Sequence, residues 1–336
     1  MFGKRLVMLG INVNNRNPGP CPLCNGQKRR RIFPVKTDHS EYVIARCPQC
    51  DLAQTFPLPD DGDLLLHSIS EYYGKEVNKF IPVVQKIRDR LMSIRASYYL
   101  SLLSKTGHRP KILDIGCAEG RLLKSFLEHG CRCWGIEHKN YPGSRFLCSD
   151  RISYIQEDLG AAELPEKSFD LIIIWHVLEH VDDPDSVVRR AYDLLTENGI
   201  LVLAVPNFSS NEAVLFRQAW FHLDVPWHKY HFSEKALKYL AEKNKFSIIK
   251  SSTFCIEQNV FGLIQSVLNY MGWPRNEFYE AVKGNLKFNR APSLLIQAGI
   301  AASIFIPCLF LSYLASREKN GSVLKLILKK NAGYSW

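Results

Sequence analysis

The stretch Lys111-Ile-Leu-Asp-Ile-Gly-Cys-Ala-Glu-Gly-Arg-Leu-Leu123 limits what this chain can fold into more than any other. Its first five residues form a short apolar strand. Gly116 and Gly120 mark a tight turn, and a helix is expected from about Arg121. A strand that feeds a helix through a glycine turn opens a parallel sheet covered by helices. The end of the first strand of such a sheet is where nucleotide-like ligands bind. The spacing Gly116-x-x-x-Gly120 is not the G-x-G-x-x-G of a dinucleotide site. Taken alone, these residues equally suit a plain strand-to-helix turn.

The pattern continues downstream. Lys111–Ile115, Cys133–Glu137, Phe169–Ile174 and Gly199–Val205 are short β-branched runs separated by longer polar or helical stretches. Phe246–Phe254 and Ser322–Lys330 read as two further strands. The alternation predicts an α/β fold with a doubly wound sheet. A chain of 336 residues, 46 % hydrophobic, is long enough for that domain and a small one. The boundaries expected are an N-terminal arm with a cysteine module over 1–60, a helical linker over 61–110, and the main domain over 111–336. The linker carries Phe80, Val84, Ile87, Leu91 and Ile94 at near-helical spacing. The main domain contains an insertion over 255–320. The apolar residues after Met1 are cut short by Asn12, Asn14 and Asn15, so no secretory signal is expected and the predicted location is cytoplasmic. The formal charge of +10 and pI of about 9.0 suit an anionic partner or simply a solvated basic surface.

Several residues at the ends of these strands could bind a ligand. Glu137 ends the second strand about 20 residues after the glycines, where a carboxylate can accept from two ribose hydroxyls. Glu157-Asp158-Leu159 follows the third strand, and an acid there can accept from an adenine amino group. Phe169-Asp-Leu-Ile-Ile-Ile-Trp-His-Val-Leu-Glu-His180 is a buried strand running to the rim, and Leu194–Asn207 holds a helix end, a glycine turn and a fifth strand. In this order and spacing the elements resemble the class I S-adenosylmethionine-dependent methyltransferases, specifically their ubiquinone-biosynthesis-like branch. The likeness covers residues 111 to about 254 and the final strand. Asp114–Gly120 matches the first motif, and Phe169-Asp170 with Leu178-Glu-His180 matches that of the fourth strand.

The resemblance implies a Rossmann-like seven-stranded methyltransferase sheet and S-adenosylmethionine as cofactor. Gly116 and Gly120, with Cys117 and Ala118 between them, would lie under its methionine part, and Asp114 would hold its ammonium group. Glu137 would take the ribose, Asp158 and Leu159 the adenine, and Trp175 would line the methionine side. Methyl transfer asks the protein to place an acceptor and, for a hydroxyl, to remove its proton. Candidate bases are His180, His228 and His231, with His176 behind them. Each could instead cap a helix or fill a polar core position. Leu223–Ser233 resembles a segment of many bacterial members in which Arg often stands where Trp227 is here. Cys117 reads as a small packing residue rather than a nucleophile.

Two features lie outside that domain core. Cys21-Pro-Leu-Cys24 and Cys47-Pro-Gln-Cys50 are matched knuckles able to aim four thiolates at one structural zinc, forming a small ribbon. Redox pairs or a labile iron centre are the competing readings. Ser293–Ala315 is an uncharged apolar run interrupted by Pro307 and flanked by basic residues on both sides. It predicts an apolar helical hairpin that touches a membrane peripherally without crossing it, or one buried on the domain or in a dimer. The acceptor expected is small or lipid-linked, such as a saccharide or isoprenoid precursor. Nucleic acid is the alternative that the charge favours, but no Asn-Pro-Pro-Tyr or Asp-Pro-Pro-Tyr motif follows the fourth strand. A non-catalytic scaffold is the third reading.

Overall fold

A computed structural model describes residues 18–37, 40–59, 82–104, 107–138, 151–283 and 290–331. The N-terminal arm and the first half of the linker lie outside the described residues. In chain order the elements are β1 (Arg30–Lys36), β2 (Glu41–Arg46), β3 (Ala53–Phe56), α1 (Pro82–Ser101), β4 (Lys111–Ile115), α2 (Arg121–Glu128), β5 (Arg132–Glu137), β6 (Ile152–Gln156), β7 (Phe169–Trp175), α3 (Pro184–Leu194), β8 (Leu195–Pro206), α4 (Asn211–Phe216), β9 (Tyr230–His231), α5 (Glu234–Lys243), β10 (Phe246–Ser252), α6 (Ile256–Tyr270), α7 (Glu277–Val282), α8 (Ala291–Arg317) and β11 (Val323–Lys330).

Seven strands form the main sheet in the order β10-β11-β8-β7-β4-β5-β6. The pairs from β8 to β6 are parallel, while β11 is antiparallel to both of its neighbours. Alternation along the central strands supplies both faces. Leu113, Ile115, Ile172, Ile174, Leu201 and Leu203 enter one core, under α3 and α5. Ile112, Leu171, Ile173, Ile200 and Val202 enter the other, under α1 and α2. The fold is the Rossmann-like methyltransferase sheet. Strand β8 starts earlier than the sequence suggests, at Leu195, and absorbs the expected turn at Gly199 as an irregularity in its pairing with β7. In α1, Ile87 and Ile94 are exposed and Ala96 and Tyr99 enter the core, so the apolar spacing of the linker does not mark its buried face.

The cysteine knuckles carry a second sheet, β1-β2-β3-β9, whose last strand comes from the main domain. Ala53 pairs with His231 and Gln54 with Tyr230. Leu23 and Leu52 join the same core as α5. The ribbon is therefore packed into the domain as a buttress.

The apolar run is a single helix, which corrects the expected hairpin. Helix α8 passes through Pro307 without breaking. A proline removes one helical N–H and crowds the preceding turn. Here the ring faces outward, and the carbonyl left without its partner is that of Ser303, one turn back. Burial along α8 leaves most of its large apolar side chains outside. Gln297, Ala301, Cys308 and Ser312 are buried against α6 and α7, while Leu295, Ile296, Phe305, Ile306, Phe310 and Leu311 are exposed. Both ends are tied to the domain by polar groups. Gln297 Nε2 and Ser293 Oγ donate to Glu277, and Asn259 Nδ2 donates to Ser316 Oγ.

Candidate active site

Strand β4 delivers Asp114 and the glycine loop to the C-terminal edge of the main sheet. Gly116 has φ +76°, and a Cβ there would sit 2.2 Å from Val177 Cγ2, so no other residue fits without moving the turn after β7. Gly120, at φ +75°, starts α2. Cys117 is buried with its sulfur under Gly135, and burial pushes its thiol far above the ordinary range. Glu137 ends β5 and reaches back to the loop. Its carboxylate accepts from Ala118 N at 2.7 Å and His138 N at 2.9 Å. Asp158 is exposed and sits 3.4 Å from His138 Nε2. Leu159 packs on the core beside it.

Asp114 is buried. Burial, helped by the nearby Glu137 charge, pushes its carboxyl up to about 8, against the opposing pull of Arg95. Arg95 lies beside these groups, and nothing in the sequence singles it out. It comes from α1, stacks 3.9 Å over the Trp175 ring and pairs with Glu257. It is one of four cations on α1, with Lys86, Arg88 and Arg90, and its place is invisible until that helix is docked.

The residues 176–180 wrap the rim between the loop and the segment before β9. His176 takes a left-handed backbone, φ 55°, a conformation that costs a non-glycine residue about 1–3 kcal/mol. Its Nδ1 donates to Glu179 Oε1 at 2.9 Å. Glu179 is fully buried. Burial would raise its carboxyl, but the His176 bond and the surrounding histidines draw it down to about 2. Its Oε2 is buried and has no partner. His180 Nδ1 donates to Trp227 O at 3.0 Å, and His228 Nδ1 donates to His222 O at 2.9 Å. The His180 and His228 rings meet edge to face, 4.7 Å apart. Burial holds both near 4, and therefore neutral at pH 7. His231 is placed differently. Its Nε2 lies 3.0 Å from Thr55 Oγ, which itself donates to His228 O at 2.7 Å. The ribbon's third strand thus fixes the segment that carries His228.

Among the described residues the four knuckle sulfurs converge within 4.8 Å of one another, with Cys21–Cys50 at 3.5 Å and Cys24–Cys47 at 3.6 Å. A tetrahedral zinc with Zn–S near 2.3 Å needs sulfurs about 3.8 Å apart. The cluster therefore has the size of a closed four-sulfur shell. Basic charge collects elsewhere. A cleft of about 600 Å³ at the N-terminal ends of the strands is lined by Arg109, Lys111, Arg132 and Lys167 among others.

With this geometry in view, the known proteins fall into place. The family model of a methyltransferase domain matches residues 84–251, half of the chain, and the chain belongs to that family. The ubiquinone biosynthesis O-methyltransferase of Pelagibacter ubique (strain HTCC1062) is 27 % identical over 147 residues, covering 41 % of this chain and 61 % of that protein. The protein of the same name from Proteus mirabilis (strain HI4320) is 30 % identical over 122 residues, covering 34 % and 46 %. The chain thus matches less than two thirds of the length of these relatives. Phosphoethanolamine N-methyltransferase 2 of Haemonchus contortus superposes with a TM-score of 0.50 at 14 % identity, over 89 % of this chain and 71 % of that one, a likeness of fold.

Proposed function

We propose that the chain transfers a methyl group from S-adenosylmethionine to a hydroxyl of a small, lipid-linked acceptor at a membrane surface. The observation that carries this is the meeting of the glycine loop, Glu137 and the Glu179–His180–His228 cluster at one edge of the sheet. Bound there, the cofactor supplies an activated methyl group on a sulfonium, and the chain's own residues do the rest. Glu137 presents its carboxylate to the ribose hydroxyls and Asp158 to adenine, with Leu159 beside it. The loop Gly116-Cys117-Ala118 lets the methionine portion approach the backbone. Asp114 faces its ammonium, and Trp175, braced by Arg95, walls that side. His180 and His228 meet the acceptor, while His231 holds the segment in place. The oxygen acceptor is taken from the names of the O-methyltransferase relatives. We assign the four cysteines to a structural zinc.

Membrane contact rests on α8. At 1.5 Å per residue its 27 residues extend about 40 Å. Its domain side mixes Gln297 and Ser312 with Ala301 and Cys308, while Leu295, Ile296, Phe305, Ile306, Phe310 and Leu311 crowd the outer side, more large apolar surface than a helix folded for water alone exposes. Because both ends are bonded to the domain, the helix lies along the domain and enters a bilayer sideways. Of the flanking cations, Lys330 and Lys283 are buried and paired with Glu197 and Glu280, so they are not available to lipid headgroups. Arg290, Arg317 and Lys319 are exposed at the two ends of the helix and add charge to the apolar attraction.

Radiolabelled S-adenosylmethionine incubated with the protein and either a bacterial lipid extract or RNA tests the reading. Label should enter the lipid fraction, and the protein should float with neutral liposomes. Replacing Leu295, Ile306 and Phe310 together by serine should cut flotation at least about tenfold. Label in RNA alone would overturn the acceptor class. Undiminished flotation in the serine variant would overturn the role of α8. Calorimetry showing no cofactor binding would overturn the enzyme reading.

A further inference from the structure

The edge of the main sheet opposite the glycine loop carries charge that the fold does not use. Strand β4 begins at Lys111 and β5 at Arg132, and these two residues are register partners in the parallel pairing of the strands. Like charges set opposite each other on neighbouring strands destabilise a sheet. Arg109 lies just before β4. Lys167, in the turn before β7, comes to the same place, and its backbone is fixed by a bond from its N–H to Asp193 O at 2.9 Å. Together the four cations line the cleft of about 600 Å³.

None of these four side chains has an acid or a hydrogen-bond partner among the described residues. The acids nearby are committed elsewhere. Asp170 accepts from Lys111 N at 2.9 Å and from His108 Nε2 at 3.1 Å. Glu166 pairs with Arg190, and Glu197 with Lys330. The Thr196 hydroxyl also lines the cleft without a partner and can donate.

A cleft of this volume falls in the range that holds small ligands, about 300–1,000 Å³. Among the described residues its lining has no Phe, Tyr, Trp, Leu or Ile, so it offers nothing for bases to stack on or for a lipid chain to follow. It offers four positive charges around a concave space. Guanidinium groups grip phosphate oxygens through paired N–H bonds, and ammonium groups act on them as point charges. One phosphomonoester carries about −1.5 to −2 at pH 7, so two phosphates balance four cations.

We propose that this cleft binds a compact polyphosphate anion, at a site distinct from that of the cofactor. At about 3.3 Å per residue, Lys111 and Ile115 stand about 13 Å apart along β4, so the two ligands meet opposite ends of one strand. The bound anion neutralises the Lys111–Arg132 row and ties the starts of β4 and β5 to the turn at Lys167.

The test is a calorimetric titration of inorganic triphosphate into the full chain, with and without S-adenosylhomocysteine. Wild type should bind about one equivalent in both cases, at least about tenfold more tightly than orthophosphate, and should lose affinity as salt rises. Arg132→Thr suits a strand start, and Lys167→Asn suits the left-handed backbone there, φ 47°. Combined, they should weaken binding at least about tenfold. Lys28→Ser with Arg30→Thr removes the same charge from exposed positions of the ribbon and should leave binding unchanged. Melting separates a ligand site from charges that serve the fold. Free Arg132→Thr should melt no lower than wild type at low salt, because it relieves repulsion, and triphosphate should raise the melting temperature of wild type but not of the double variant. No binding, equal loss in the ribbon variant, or binding abolished by S-adenosylhomocysteine overturns the site. A lower melting temperature for free Arg132→Thr assigns the charges to the fold and overturns it as well. Tighter binding of a single-stranded oligonucleotide, displaced by triphosphate, would make the cleft part of a nucleic-acid track and reject the compact ligand.

Discussion

Two carboxylates buried at the same edge of the sheet are driven in opposite directions. Asp114, at the end of β4, is pushed up to about 8 because burial and the Glu137 charge outweigh Arg95. Glu179, after β7, is drawn down to about 2 although it is buried as deeply, because His176 donates to it and histidines surround it. Environments that separate the pKa values of neighbouring acids divide their roles. Glu179 is a standing negative charge. Asp114 is neutral until a cation arrives, which suits a group that meets the ammonium of a ligand that comes and goes.

Like-for-like substitutions give the sharpest way to break this contrast. Glu179→Gln removes an ionised acceptor from a bonded, buried position and should cost about 2–3 kcal/mol in urea unfolding at pH 7. Asp114→Asn replaces an acid that must take up a proton on folding, so at pH 6 it should not destabilise the chain and should gain up to about 3 kcal/mol. Equal losses in the two variants would mean that both acids are ionised and that the contrast is false.

The next effect, smaller for each pH unit, depends on pH. The folded-state pKa of Asp114 lies above its unfolded value of 3.8, so the folded chain binds more protons between about 4 and 8. Its contribution is fully present below about 4 and is lost as pH rises through about 8. Relative to Asp114→Asn, wild type should therefore lose up to about 1.4 kcal/mol per pH unit across that window. Paired unfolding curves at pH 5 and pH 8 measure it. A difference that does not change with pH removes the basis for treating Asp114 as a neutral acid.

The two carboxylates also differ in how far the sequence discloses them. Asp114 stands in a local motif: strand, glycines and acid lie within ten residues, so their geometry follows from chain connectivity. The paired cysteines are legible for the same reason. Each of Glu179, His180 and His228 is visible as a residue, but their meeting is not. It depends on a left-handed backbone at His176 and on β9 pairing with the ribbon, which brings together segments 48 residues apart. Arg95 is hidden in the same way, since only the docking of α1 sets it over Trp175. For α8 the sequence shows the apolar run and Pro307 but misleads about the break. A proline whose ring faces outward costs a helix one bond, and the polar ties at Glu277, Thr253 and Asn259 hold the two halves in line.

The smallest effect is also the most direct reading of Asp114. If its carboxyl is protonated in the free protein at pH 7, binding a ligand ammonium beside it must expel that proton, because the ammonium stabilises only the carboxylate. Calorimetric titration of S-adenosylmethionine in two buffers of different ionisation enthalpy should show up to about one proton released per site at pH 7. The release should fade as pH passes 8, where the acid is already ionised. Asp114→Asn should bind more weakly and release none. Glu179→Gln should leave the release intact, since Glu179 is ionised before and after binding. A wild type that binds without releasing a proton would place the ammonium elsewhere on the loop and leave Asp114 as a buried acid of the fold alone.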